Sequence, residues 1–497
     1  MSDARKTLFA KAMWAFKWNA LGVVVRIAMQ FVVMIVLARL LGPADFGFFG
    51  GSLLVFGLAL LVADLGLATA LVQRAELDRE TRRAAWGRLF ATHVAVAAAV
   101  WFAAPWLGGL LGESGVAEGI RGTVPALLIT AFMVMPAVEL RRRLDFRRLQ
   151  FSQMCGYFAG YVLTAIPLSV YGWGGWSLIA ALVVQQAVMA AMCMAAAPQP
   201  LYPRWAPISG AANGFGLRVT GSNLSNWVAE NLDNLLVARF KGLADLGTYS
   251  VAYNLARTPV NHMVAMLQQV VFAAGSRAQD DHASLQKAYL ALVKAIALVS
   301  FPVFFAAAMV ADSVIDGLYG APWQHAGPVF AAVCVAMPFH ALMAVAGPLL
   351  AARGRPGDEF KVQFAMALLL AAVLWALKDG ELVHLAWGVC GVYVARAVFM
   401  SAALIRELGL THLRVLRALR SPLLLTALVL AALGAFSVLD LDAMPIGRLL
   451  GMIVVAGATV LLAALGCMRA LLGEELAFLC VRFPILGRLR LFSRAGV

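Results

Sequence analysis

Residues 38–47 read Ala38-Arg39-Leu40-Leu41-Gly42-Pro43-Ala44-Asp45-Phe46-Gly47, and residues 238–247 read Ala238-Arg239-Phe240-Lys241-Gly242-Leu243-Ala244-Asp245-Leu246-Gly247. Six of the ten positions agree without a gap at an offset of 200: Ala38 with Ala238, Arg39 with Arg239, Gly42 with Gly242, Ala44 with Ala244, Asp45 with Asp245 and Gly47 with Gly247. Each copy closes one long apolar segment and opens another. Gly and Asp recur at turns for local reasons, because Gly adopts conformations closed to other residues and Asp bonds its own backbone. A gapless match with apolar helices on both flanks goes beyond turn chemistry, and the chain reads as two related halves.

The composition says where those halves reside. Of 497 residues 62% are hydrophobic and only 13% charged, and the mean hydropathy is +0.83. A soluble domain is about half apolar and about a quarter charged. The surplus of apolar surface here needs lipid as its solvent. Apolar segments of about 20 residues recur along the chain, which predicts a polytopic α-helical membrane protein, since only helices and closed barrels satisfy their backbone in a bilayer. The ten-residue alternation of a barrel is absent. The net charge of +14 does not indicate nucleic acid, because the cations sit at helix ends in alternate loops. Cys155, Cys193, Cys334, Cys390, Cys467 and Cys480 have no metal-ligand spacing and read as small packing residues. No cleavable signal peptide is expected, because the first apolar segment is too long for one.

Taken in order, the pattern predicts about fourteen crossings. Six fall in residues 1–197, the linker 198–215 is Pro-rich, and six more fall in 216–405. A basic loop, 406–421, leads to a last helix pair within 422–472 and a basic tail, 473–497. The densest basic cluster runs from Arg141 to Arg148, while the odd-numbered loops hold few cations, chiefly Arg121, Lys241, Lys378 and Arg448. The positive-inside rule then places both termini in the cytoplasm. An even number of crossings per half inserts both halves in the same sense.

A charge at the centre of a membrane helix costs about 2.5–3.5 kcal/mol on insertion scales, so each demands a reason. In the first crossing Asn19, Arg26 and Gln30 fall within about 40° on a helical wheel. In the seventh, Asn223, Asn226, Glu230, Asp233 and Asn234 cover about 100°, and in the eighth Asn254, Arg257, Asn261 and Gln268 cover about 60°. The offset of 200 pairs Arg26 with Asn226 and Gln30 with Glu230. Hydrogen bonding between helices is one reading of these stripes. The other, which we carry forward, is a wet substrate cavity lined by Asn19, Arg26, Gln30, Asn223, Asn226, Asn254, Arg257 and Asn261. Glu230 and Asp233 either couple an ion or pair with Arg26 or Arg257 as salt bridges. Asp64 reads as a packing or gating residue. Lys294 and Arg396 lie near enough to helix ends to snorkel and receive no role. His93, His262, His340 and His384 are dispersed and read as satisfied core or interface histidines. No metal site and no nucleotide motif is found.

At these residues the chain resembles a known family. Trp227 to Arg239, Leu246 to Ala256, Leu37 to Gly47 and Asp64 to Gln73 are similar to stretches of the polysaccharide transporter family. These are the Wzx-type lipid-linked oligosaccharide flippases of the multidrug/oligosaccharidyl-lipid/polysaccharide exporter superfamily. The likeness covers roughly residues 10–420 in layout, and its most specific parts are the two turns with Arg39, Gly42, Asp45, Gly47, Arg239, Gly242, Asp245 and Gly247.

The resemblance implies two pseudo-symmetric six-helix lobes around a central cavity, with a C-terminal helix pair added. It implies a substrate, an oligosaccharide on a polyprenyl pyrophosphate, moved across the bacterial inner membrane by alternating access without a bound cofactor. Proton or sodium coupling stays open on the acidic residues of the seventh crossing. Expected partners are the lipid-linked substrate, membrane lipids and, in glycan assembly, a polymerase and a chain-length regulator. Export of drugs or of a peptidoglycan precursor is the alternative within the superfamily. A membrane glycan polymerase or ligase is the alternative from another class, disfavoured by the short odd-numbered loops.

Overall fold

In the computed structural model, residues 22, 25–73, 78–199, 210–277, 282–353, 355–438 and 445–466 are described. Asn19, Cys467, Cys480 and the basic tail lie outside them, as do the side chains of His262 and Gln268. Among the described residues the protein is helical, and nine helices are long and apolar enough to cross a membrane. With the family resemblance set aside, that alone makes the chain a multi-pass membrane protein.

The chain forms two compact units, Met1–Gly247 and Thr248–Val497. In the first, α1 (25–40) is followed by α2 (Pro43–Asp64), α3 (Leu67–Gln73), α4 (Arg79–Leu110) and α5 (Val116–Arg142). Next come α6 (Phe146–Tyr157), a π-helical stretch (Phe158–Ala165), α7 (Ile166–Val170), α8 (Gly175–Ala196) and α9 (Gly210–Lys241). Helix α10 (Leu243–Arg277) opens in the first unit and continues into the second. The second unit goes on with α11 (His282–Met309), α12 (Ala311–Tyr319), α13 (Ala326–Ala352), α14 (Pro356–Ala376), α15 (Leu382–Glu407), α16 (His412–Val438) and α17 (Pro445–Gly466).

The same packing scheme recurs inside each unit. In the first, α4 packs on α5, α5 on α8, and α6 with its π-helical extension on α8. In the second, α11 packs on α13, α13 on α15, and α14 on α15. Counted by crossing, these are the same three pairings, as a duplicated helix bundle requires. Gly156 and Gly160 let the first version close tightly. A Cβ on Gly156 would stand 2.8 Å from the Gln185 carbonyl oxygen, and one on Gly160 would meet the Ala181 carbonyl. Small residues four apart bring two backbones together in this way in membrane helices. The outward sides stay apolar: Trp101, Phe102 and Trp106 of α4 and Phe360, Phe364 and Leu368 of α14 are exposed. That is the surface a lipid-facing helix presents.

Alternate loops gather at opposite ends. In the first unit Asp45 Oδ1, after the first loop, accepts from the Gly175 amide at 2.7 Å, and Glu113 Oε1, in the third, accepts from the Leu243 amide at 3.1 Å. At the other end Arg142 Nη1 donates to the Leu71 carbonyl at 2.8 Å, joining the second and fourth loops. In the second unit Glu407 at the end of α15 pairs with Arg353 at 3.3 Å and with Arg355 at 3.2 Å, on the turn after α13. Gln286 Nε2 also donates to the Leu408 carbonyl there, at 2.7 Å.

The twin turns are alike in sequence and unlike in backbone. Gly42 is extended, with φ −90° and ψ 173°, because the ring of Pro43 bars other regions to the residue before it. Gly242 precedes Leu243, feels no such constraint, and takes φ +82°. Gly47 and Gly247 meet reciprocally: a Cβ at 47 would fall on the Leu243 carbonyl, and a Cβ at 247 on the Pro43 carbonyl. Positions 43 and 243 are themselves repeat partners, so the duplicated turns cross each other backbone to backbone.

Three boundaries differ from the hydropathy reading. Helix α9 begins at Gly210, inside the expected linker, and α16 begins at His412, inside the expected basic loop. The start of α16 is rich in Leu, Arg and Ala, residues that extend a helix beyond the apolar stretch. The ninth loop contains α12, whose Ile315 and Tyr319 are buried with Trp323 of the following turn.

Candidate substrate site

In the first unit, α1 presents Arg26 to α6. Gly22 makes the approach close, since a Cβ there would stand 2.9 Å from Gln150 Cβ. One turn on, Arg26 Nη1 donates to Gln153 Oε1 in a short hydrogen bond. Arg26 is half-buried and forms no ion pair among the described residues, so neither Glu230 nor Asp233 bridges it. Its acceptor is a neutral amide. Gln30 is half-buried on the same helix.

On α9, Asn223, Asn226 and Glu230 are exposed, whereas Asp233 is buried at 2%. Asp233 Oδ1 accepts from the Asn234 backbone amide at 2.8 Å and from Asn234 Nδ2 at 3.2 Å. The expected stripe therefore splits into an exposed part and a buried, locally bonded part. Trp227 lies against α2, its Nε1 being 3.3 Å from where a Cβ on Gly57 would sit. Asp64 sits at the break between α2 and α3: its Oδ1 accepts from the Ala68 amide at 3.4 Å, across the turn where Leu65 has φ +48°.

In the second unit, Asn254 and Asn261 are exposed on α10 and Arg257 is half-buried. The Arg257 guanidinium lies 5.3 Å from the centre of the Tyr253 ring, a cation–π distance. Tyr253 stacks on Tyr249 at 5.6 Å, and its hydroxyl bonds that of Tyr393 on α15 at 2.8 Å.

One reading of an isolated residue needs correction. Lys294 does not snorkel; it is 5% exposed within α11. Arg396 is half-buried and donates to Gln363 Oε1 of α14 at 3.1 Å. Hydropathy sees only distance from a helix end, and the helix that packs over that end is set by the fold. Among the histidines, His93 Nδ1 bonds the Leu89 carbonyl at 2.7 Å and His384 Nδ1 accepts from the Glu381 amide at 3.2 Å. His340 is the exception, since its Nδ1 is buried with no hydrogen-bond partner among the described residues. Gln153, the partner of Arg26, was visible as an amide in an apolar segment but carried no periodic signal.

Two units built on one helix scheme, with arginines inside apolar helices, define a transporter-like membrane fold. It is shared with a lipid II flippase, MurJ, in an inward closed conformation, at TM-score 0.67 and 11% identity over 97% of this chain and 100% of that one. It is shared also with a multidrug resistance MATE family transporter of the MOP superfamily in an inward-facing conformation, at TM-score 0.63 and 16% identity over 76% and 94%. The chain belongs to the family described as polysaccharide biosynthesis protein, which it matches over residues 36–328. It is 25% identical to the lipopolysaccharide biosynthesis protein WzxC of Escherichia coli K12, over 74% of this chain and 75% of that protein. It is 26% identical to the succinoglycan biosynthesis transport protein ExoT of Rhizobium meliloti, over 78% and 79%.

Proposed function

We propose that the protein is a flippase that carries a polyprenyl-pyrophosphate-linked oligosaccharide across the cytoplasmic membrane for assembly of an envelope or exported polysaccharide. The observation that carries this reading is Arg26: a guanidinium within an apolar helix, held by the neutral amide of Gln153 and by no carboxylate among the described residues. An arginine fork is built for bidentate phosphate, and family membership supplies the polysaccharide context. The likeness to MurJ speaks for the fold alone and adds nothing for a peptidoglycan precursor.

In this mechanism Arg26 of the first unit holds the pyrophosphate, Asn and Gln side chains with Trp227 of the same unit meet the sugars, and the polyprenyl chain stays in lipid. Alternating access moves the head group outward. Two negative charges crossing an inside-negative potential of about 100 mV gain about 4–5 kcal/mol, enough to bias flipping without a nucleotide. Both termini and the even-numbered loops face the cytoplasm, which the Arg-rich end supports. Coupling to protons or sodium through Glu230 or Asp233 is a separate part of the proposal.

The test is Arg26→Ala in cells lacking the native copy, with surface glycan and membrane level both measured. Glycan export is lost while the protein stays at its normal level; undiminished export would refute the assignment of Arg26.

A further inference from the structure

In the first unit, the contact between Arg26 and Gln153 leaves most of its hydrogen-bonding capacity unused. A guanidinium carries five N–H donors, and Nη1 gives one of them to Gln153 Oε1. The other four have no acceptor among the described residues. Arginine accepts nothing, so the Gln153 atom that faces it must be the amide oxygen. The two N–H groups of that amide therefore remain as donors as well. Both side chains are half-buried, so this donor set is within reach of a ligand.

Packing fixes where these donors stand. Gly22, a turn before Arg26, meets Gln150, a turn before Gln153, and a Cβ at 22 would lie 2.9 Å from Gln150 Cβ. The two segments are thus about as close as backbone and side chain allow. Gln153 follows Arg147 by six positions of α6, a rise of about 9 Å, and Arg147 and Arg148 are exposed at the Arg-rich end. The donors lie just inside that end, in the nearer half of the bilayer. Donors crowded around one fixed charge call for an anion with many oxygens. Sugar hydroxyls bring donors of their own and leave the charge unmatched, whereas each phosphate of a diphosphate offers several acceptors to an arginine fork.

We propose that Gln153 is a second ligand of the diphosphate: its amide oxygen orients Arg26, and its NH2 group donates to the same bound oxyanion. The pair then loads the head group of a lipid still anchored in the nearer leaflet. This rests on the flippase reading and adds to Arg26 a residue outside the polar stripes. A neutral amide is suited to both tasks. A carboxylate at 153 would hold the guanidinium more tightly, cancel its charge and turn oxygens toward the anion. An apolar side chain would leave Arg26 charged and without its tether.

The experiment uses the full chain in phosphatidylcholine nanodiscs and measures binding of radiolabelled geranylgeranyl diphosphate and geranylgeraniol, together with Tm. Wild type is expected to favour the diphosphate, and inorganic pyrophosphate should displace it far less well than the unlabelled lipid. Gln153→Met should weaken diphosphate binding about tenfold, the scale of one hydrogen bond to a charged group, and leave the alcohol unchanged. Gln153→Glu should weaken it further, to the level of Arg26→Gln, while its new ion pair keeps Tm at or above that of wild type. A contact that only braces the helices gives the opposite order, because an ion pair would preserve it. Diphosphate binding in Gln153→Glu equal to wild type, with loss in Arg26→Gln, therefore overturns the role of Gln153 and leaves the flippase reading standing. Equal weakening toward diphosphate and alcohol also overturns that role, by showing a disturbed fold. Pyrophosphate as effective as the lipid overturns loading from the leaflet. A wild type indifferent to the diphosphate overturns both the role of Gln153 and the flippase reading.

Discussion

The reciprocal contact of Gly47 and Gly247 makes a prediction that sequence matching alone gets wrong. A Cβ at 247 would stand 2.7 Å from the Gly47 nitrogen and 2.9 Å from the Pro43 carbonyl carbon, with the carbonyl oxygen nearer still. These are backbone atoms, so no side chain can swing aside. Gly47→Ala and Gly247→Ala must each push the two turns apart, at about 1–3 kcal/mol for an overpacked contact. One separation relieves both clashes, so the double variant should cost less than the sum of the singles by about 1 kcal/mol. In a unit of this size each kcal/mol lowers Tm by about 2–4 °C. The repeat partners Gly42 and Gly242 should behave unlike each other. Nothing lies within 4 Å of a Cβ at 42, where φ is −90°, and Gly42→Ala should stay within about 0.5 kcal/mol of wild type. Gly242→Ala forces a side chain into φ +82°, at about 1–2 kcal/mol. Tryptophan fluorescence of the purified protein during heating reads all five variants. Equal effects at 42 and 242, unchanged Tm for either of the 47 and 247 singles, or strict additivity would refute the crossing.

Two further tests bear on coupling and on local order. Glu230→Gln should abolish any dependence of flipping on a proton or sodium gradient in proteoliposomes; a gradient dependence equal to wild type removes that carboxylate from coupling. Asp78 caps α4 outside the membrane segments, accepting from the Thr81 amide at 3.3 Å, and hydrogen bonds from Thr81 lower its carboxyl below the usual value. A lowered folded value means the cap is fully present above the unfolded carboxylate range, about pH 4, and is lost as pH falls through the folded value. Hydrogen exchange at Arg79–Arg82 should therefore speed up below that range in wild type and be fast at all pH in Asp78→Ala; a pH-independent wild type would dismiss the cap.

Much of this was legible before any coordinates. The excess of apolar residues, the alternating loops and the match at residues 38–47 and 238–247 depend on composition and period, which survive in one dimension. They led to a helical membrane protein built on a repeated plan, and the repeated pairings of α4, α5 and α8 with α11, α13 and α15 carry that plan into three dimensions. Arg26 was also legible, because a charge in an apolar helix is conspicuous on its own.

The partners of these residues were not. Gln153 meets Arg26 across 127 positions of chain, and Gln363 of α14 meets Arg396 across 33. His340 of α13 meets the Tyr393 ring of α15, which is far from it in sequence. Asp233 is buried and bonded to Asn234, while Asn223, Asn226 and Glu230 of the same helix are exposed. Helical periodicity assigns a residue to a face of its own helix, and that follows from sequence. Which helix covers the face, and whether it brings an amide, a ring or a second charge, depends on packing across distant segments. The sequence by itself therefore determined the membrane, the repeat and the odd charge, and only the tertiary structure decided which groups each charge meets, because those partners come from distant segments.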